Sequence, residues 1–299
     1  GAALFLGGKL APEMRGGLAM AATDEACHLA AIKGTDPAAC TVAAVEQLGG
    51  MGKFVGEGAR VLINVNNATK HRGSNVDPVV VLAIVKLCRE AGAGDICLAK
   101  GGPDRYWEPV PESEEKTELL AGIRVSEREF EVVPIPEGVA LKEAHVDKEL
   151  LAADVFINVP LVKDHTGTNF TGALKNFMGV CSHDPTNRFC HMGATPEAAG
   201  FYEDLGHLAQ CIADMNLVRV PDLTVMDCFE FLTTNGPFGP GDLGRGDTVL
   251  AGVDPVAIDA YSARFLGLEP GDVEMIDRGR QLGLGRTDLE KLNIVELDL

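Results

Sequence analysis

The sequence predicts an α/β fold with a mainly parallel sheet flanked by helices, and three observations predict it. Two short runs, Val61-Leu62-Ile63-Asn64-Val65 and Val155-Phe156-Ile157-Asn158-Val159, have the nearly continuous apolar character of strands buried on both faces. The pairs Asp77-Pro78 and Asp254-Pro255 each place a capping carboxylate before a proline at the first helical position. Strand, helix and strand then succeed one another between residues 61 and 99, the order that builds parallel pairs through right-handed crossovers.

In chain order, residues 1–57 are rich in Ala and Gly and are expected to form an N-terminal extension, with a helix from Cys40 to Leu48. A single α/β domain is expected over 58–299. The opening Gly1-Ala2-Ala3-Leu4-Phe5-Leu6-Gly7-Gly8 reads as the remnant of an export signal or as a bland start, which leaves a cytoplasmic and an exported location both open. The helix capped by Asp77 runs to about Ala91, where Gly92 closes it. Asp95 to Ala99 is the next strand. Residues 101–136 are more polar, carry Trp107 between prolines, and read as a loop or an inserted subdomain. Pro160 ends the Val155–Val159 strand. A helix from Phe201 to Met215 precedes a strand from Leu223 to Met226; the second capped helix runs to about Leu266, and Ile294 to Leu297 closes the fold.

Two segments repeat one another. Ala59 to Val65 with His71 and Gly73, and Ala153 to Val159 with His165 and Gly167, both read A-x-V-x-I-N-V-x5-H-x-G. Shared Val and Ile follow from burial alone, but Asn, His and Gly at identical offsets do not. The repeat predicts two strands whose carboxyl ends deliver similar loops to one crevice, with two pseudo-repeated lobes as one way to build it. Open α/β sheets bind ligands at such a place.

Charge and motifs then narrow the function. With 26 Lys and Arg against 44 Asp and Glu, the net charge is −18, which disfavours nucleic acid and anionic lipid as partners. No apolar run is long enough for a transmembrane helix. The eight cysteines (Cys27, Cys40, Cys88, Cys97, Cys181, Cys190, Cys211 and Cys228) contain no C-x-x-C pair, so this chain has no iron–sulfur motif. One or two bridges are permitted, Cys181–Cys190 being the nearest pair in the suspected site. Metalloprotease, serine-hydrolase and P-loop signatures are absent. Gly239 to Gly244 formally spells G-x-G-x-x-G, but prolines interrupt its approach and an extended segment follows, so a lid or structured turn fits better than a dinucleotide site.

Against this acidic background Lys163-Asp164-His165-Thr166-Gly167-Thr168-Asn169, Thr171, Lys175-Asn176, Gly179, Cys181-Ser182-His183, Arg188 and Cys190-His191 gather cations, imidazoles and short hydroxyl or amide side chains. Such a mixture suits a phosphate or carboxylate. His165, His183, His191 and the two thiols also offer donors for a divalent metal, although their spacing matches no established zinc pattern.

These motifs resemble a known group. Ala153 to Pro160 with Lys163 and His165, Thr171-Gly172-Ala173-Leu174-Lys175-Asn176, His191, Ile212 to Asn216, the Gly236-Pro237-x-x-Pro240-Gly241 loop and Ala251 to Ala260 are together similar to the family known as domain of unknown function 362, over roughly residues 58–299. The resemblance implies no assigned activity. It implies a link to redox chemistry only through members fused to ferredoxin-like domains, and export only through members that carry signals. Asn64-Val65-Asn66 stands where Lys-Pro-Asn is usual, and Cys228 where Gly often follows the Asp. At the level of fold alone the pattern is similar to two-lobed nickel-dependent racemases.

The functional expectation is therefore an enzyme or redox-linked accessory protein that binds a small anionic ligand in a crevice behind Val65, Val159 and Met226. Lys163 and Lys175 are expected to hold anionic groups, His165 and His191 to act as acid/base groups or metal ligands, and Asp259 to orient a lysine. Thr171, Asn176, His71, Asp227, Gly236, Gly239 and Asp254 complete the expected ligand contacts. A non-catalytic assembly subunit of an envelope or redox complex is the alternative, and a homo-oligomer or a redox partner protein is open in either case.

Overall fold

The computed structural model describes residues 27–67, 69, 71–103, 105–193 and 200–299. The Gly1–Gly8 stretch read as a signal remnant lies outside them. Strand β1 (Leu29–Lys33) comes first, followed by α1 (Pro37–Gln47), whose first N–H groups are accepted by Asp36. Next come β2 (Arg60–Val65), α2 (Pro78–Glu90) capped by Asp77, and β3 (Asp95–Leu98). The polar stretch beyond residue 100 holds α3 (Glu114–Ala121), the two-residue β4 (Arg124–Val125) and β5 (Phe130–Pro134), which pairs antiparallel with β6 (Glu143–Asp147). That stretch is thus structured rather than a plain loop.

Helix α4 (Lys148–Ala152) leads into β7 (Val155–Val159). Two short helices follow, α5 (Ala173–Asn176) and α6 (Arg188–Met192), then the longer α7 (Leu205–Met215). Strand β8 (Leu223–Leu232) continues past the expected end at Met226 because it pairs along its length with β9 (Leu243–Gly252). Helix α8 (Pro255–Ser262), α9 (Glu274–Gln281) and β10 (Ile294–Asp298) complete the chain.

Eight strands form one sheet in the order β10-β1-β9-β8-β7-β2-β3-β4. The pairs β10/β1, β8/β7, β7/β2, β2/β3 and β3/β4 are parallel, while β9 runs antiparallel to both its neighbours. The repeat seen in the sequence puts its two strands side by side in this sheet, with Asn64 opposite Asn158 and Val65 opposite Val159. From that junction β2 leads outward to β3 and β7 leads outward the other way to β8, so the connections diverge. Helices α1 and α2 touch each other on one face, and α5, α7, α8 and α9 form the layer on the other. Divergence of this kind opens a crevice at the strands' carboxyl ends.

The core fills both sides of the sheet, with Leu29, Ile32, Leu62, Ile63, Phe156, Phe177 and Phe231 among its fully buried side chains. Residues 29–47 belong to it: β1 is hydrogen-bonded between β10 and β9, so the sheet begins ahead of the boundary expected at residue 58. All eight cysteines are free, Cys181 and Cys190 included. Among the described residues no helix is long and apolar enough to cross a membrane.

A chain shortened to start at residue 58 would leave β9 and β10 without the strand that joins them. It is expected to lose the cooperative thermal transition and the protease resistance of the full chain, as read by circular dichroism and limited trypsin digestion.

Candidate functional site

The site is built around one turn of helix. Helix α5 carries Lys175 and Asn176 and is too short to satisfy its own backbone groups. Buried side chains do so instead. The Asp259 carboxylate on α8 accepts the N–H groups of Ala173 (2.5 Å) and Leu174 (3.0 Å). Three asparagines then take its carbonyls: Asn158 Nδ2 donates to Ala173 O (2.9 Å), Asn216 Nδ2 to Leu174 O (2.9 Å) and Asn64 Nδ2 to Asn176 O (2.7 Å). Asn176 Nδ2 donates back to Asn64 O and to Asn158 Oδ1. The approach is close enough that a Cβ at Gly172 would overlap the Asp259 carboxylate, and one at Gly179 the Asn64 amide.

This turn forms part of a cleft of about 540 Å³ at the β2/β7 junction. Asn66, Asn67 and Thr69 reach it from the loop after β2, Lys100 from just beyond β3, and Lys163, His165 and Thr171 from the loop after β7. Lys175, Asn176, His183, Asn187, Arg188 and His191 complete the polar lining, with Val65, Met178, Phe201, Tyr202, Pro237 and Phe238 as its aromatic and apolar part. Among the described residues no Asp or Glu lines it. Lys163 is buried and donates to Asn66 Oδ1 (3.1 Å) and Ser74 O (2.6 Å), whereas Lys175 Nζ has, among the described residues, only the weak acceptor Met178 Sδ at 3.5 Å. The Thr171 hydroxyl is buried with no hydrogen-bond partner among the described residues.

The pattern of the family described as Domain of unknown function (DUF362) matches residues 61–264. The chain belongs to that family. This DUF362 chain is 30% identical over 250 residues to a thylakoid-associated protein of Synechocystis, covering 82% of the chain and 75% of that protein. Solved structures are more distant. The lactate racemase apoprotein of Thermoanaerobacterium thermosaccharolyticum aligns over 69% of this chain and 52% of its own, at 15% identity and a TM-score of 0.40. A Thermotoga maritima protein aligns over 83% and 60%, at 14% identity and the same TM-score of 0.40. The chain thus spans little more than half the length of these two structures, and at that distance neither likeness bears on the site.

Electrostatics in the DUF362 cleft follow from cations crowded together in a buried place. Burial, then the charge of Lys175, pushes the Lys163 ammonium down to about 7. Burial lowers Lys175 to about 8, with Cys190 opposing and Lys100 adding to the shift; burial and Arg128 lower Lys100 to about 8 as well. His165 is held neutral, down to about 2, by burial and then by Lys175, His191 and Lys163. Burial also lowers His191, against the opposing hydrogen bond to Asn187. The tautomers follow from the partners. His165 Nδ1 accepts the Gly167 N–H (3.0 Å), so its proton sits on Nε2. His191 Nδ1 faces the Asn187 carbonyl at 2.7 Å and must donate, which leaves Nε2 as an acceptor.

Of the residues singled out in the sequence, Lys163, His165, Thr171, Lys175, Asn176 and His191 line this cleft together. The others lie elsewhere. Asp259 orients no lysine directly; it caps α5. Asp254 caps α8 through Ala257 N and accepts Arg286 N. Asp227 is buried where it accepts the N–H groups of Asp77 and Phe229, tying the loop after β2 to β8. Gly236 is bonded to Asp164 and Thr166, and its loop extends Pro237 and Phe238 into the lining. His71, the counterpart of His165 in the repeat, and Gly239 are not lining residues. The expected G-x-G-x-x-G turn leads into β9 rather than a helix. The third loop of the crevice comes after Leu232, not Met226.

Sequence reasoning missed Lys100, Asn67, Phe201, Tyr202 and Phe238. Lys100 had a usable signal, since it sits just beyond the carboxyl end of a parallel strand. Among the described residues no three His, Cys, Asp or Glu side chains converge as a metal-binding group.

Replacing Asp259 by Ala leaves two buried N–H groups without acceptors, and urea unfolding is expected to show a loss of about 2–5 kcal/mol. Asp259→Asn, which keeps one acceptor oxygen, is expected to lose less.

Proposed function

We propose that this protein binds a small organic anion in the β2/β7 cleft and acts on it as an enzyme, with lysine and histidine side chains handling protons. One observation carries the reading: a cleft lined by Lys100, Lys163, Lys175 and Arg188, and by no described carboxylate, in a chain of net charge −18. Lys163 is buried and Lys100 and Lys175 half-buried with no carboxylate partner among the described residues, which raises the energy of the empty protein, and a bound anion relieves it. The unpartnered Thr171 hydroxyl supplies a directional hydrogen bond next to them. A cavity at this place favours ligand chemistry over an assembly role, which has no use for one.

The chain's own residues suit proton transfer near neutral pH. A lysine with a pKa near 7 exchanges protons with little driving-force penalty, which fits Lys163 as the acid/base group. Lys175, Lys100 and Arg188 neutralise and orient the anion. His165 donates from Nε2 as a neutral hydrogen-bond donor, and His191 accepts at Nε2. Three imidazoles among four cations, with no carboxylate or thiolate among the described lining residues, are a poor place for a divalent ion, and no step is routed through a metal.

Binding an anion raises the lysine pKa values, so it takes up protons and weakens as those lysines lose charge. Titration calorimetry with sulfate, whose own charge does not change in this range, is expected to show affinity falling between about pH 6 and pH 9, by up to roughly tenfold per pH unit for each coupled proton. Lys175→Met is expected to remove most of that affinity. Sulfate binding that ignores pH, or survives in Lys175→Met, would count against the reading.

Elemental analysis of purified protein checks the metal question separately. The expected content of zinc, nickel or iron is well below one equivalent per chain; a stoichiometric metal lost in a His165→Ala, His191→Ala double variant would restore the metal-ligand role to those histidines.

A further inference from the structure

The mouth of the cleft differs in chemistry from its floor. Lys163, His165, Thr171 and Asn176 are buried at the bottom, whereas Phe201 and Phe238 are 50% and 60% exposed while lining the same cavity. Aromatic area left in water beside a polar pocket is area that a flat partner would cover. The Phe201 side is organised as a wall of rings. Phe201 stacks on His191 at 5.6 Å with 28° between the planes, and Tyr202 stands edge-on to His191 (5.4 Å) and His165 (5.7 Å). Tyr202 has φ 64°, a left-handed conformation uncommon for a bulky residue, and it sits against the loop at Gly167.

Size points the same way. Pockets that enclose drug-sized organic ligands measure about 300–1,000 Å³, and this one is about 540 Å³. A bare phosphate or a short carboxylate would leave most of it, and all of its aromatic rim, uncovered.

We infer that the ligand is bipartite: a phosphate or carboxylate group seated on the lysines, joined to a planar aromatic or conjugated body that stacks on Phe201 and Phe238. This rests on the anion-binding reading above and names the substrate class of that site. The two aromatic side chains act as specificity determinants for the ligand's body, and the lysines for its head.

Titration calorimetry with matched pairs tests it: 1-naphthyl phosphate against propyl phosphate, and 1-naphthoate against butyrate, with inorganic phosphate as reference. Each probe is run on the unaltered protein and on a Phe201→Ala, Phe238→Ala double variant, whose folding is checked by circular dichroism. In at least one pair the naphthyl member is expected to bind about tenfold more tightly than its alkyl partner, and that pair identifies the head group. In the double variant the naphthyl-to-alkyl affinity ratio is expected to fall to about one, and taking the ratio within a pair cancels any change in the head-group site that both members share. Inorganic phosphate binding with no naphthyl preference in either pair, or a preference that persists in the double variant, overturns this inference and leaves the anion site standing. If none of the five probes binds, the anion-binding reading itself fails and this inference with it.

Discussion

A single turn of helix, held from all sides by buried polar side chains, is the constraint on which the rest of this structure depends. Helix α5 lies under the cleft with four residues and almost no hydrogen bonds of its own. Asp259 takes its leading N–H groups, while Asn64, Asn158 and Asn216 take its carbonyls. These partners come from two adjacent strands and two helices, so the turn reports on the whole sheet–helix junction. Each amide or carboxylate is buried, and each would be costly if its partner moved. The position of Lys175 is therefore set by the fold's interior rather than by a surface loop.

Charge is distributed with the same economy. Acidic side chains dominate the chain, and many arginines answer them at the surface: Arg124 bridges Asp95 and Glu149, and Arg219 meets Asp222. The lysines of the cleft have no such partners among the described residues. Their pKa shifts arise from burial together with neighbouring Lys and Arg charge. This is how a strongly acidic protein can present a cationic cleft: its buried carboxylates, Asp227 and Asp259 among them, are turned to backbone N–H groups rather than to the cleft, and two of the lysines rest on an amide oxygen, a backbone carbonyl and a thioether. Lys163 resting on Asn66 and Ser74 is the clearest case.

Much of the scaffold was legible in the residues. Two apolar runs with the same Asn at the same offset became neighbouring parallel strands, and the Asp-Pro pairs capped α2 and α8 as their chemistry requires. Lysine, imidazole and hydroxyl groups between Lys163 and His191 were visible as a concentration, and their convergence follows from the switch point at β2/β7. Less visible was β1, whose Leu-Ala-Ala-Ile has little to mark it as an interior strand until β9 and β10 enclose it. Asp259 showed itself as a carboxylate in an apolar helix, but not which groups it served.

The sequence by itself determined the main buried strands, the helices that alternate with them, the capping carboxylates and the local cluster of cations, because these depend on side-chain periodicity and on neighbours a few residues apart. Only the tertiary structure decided that Asn64, Asn158, Asn216 and Asp259 converge on one helical turn, that Lys100 joins Lys163 and Lys175, and that Phe201 and Phe238 share a rim. Those groups are brought together by strand pairing and helix packing across large separations in the chain. A buried polar side chain announces that it needs a partner, but which partner it finds is a property of the assembled interior.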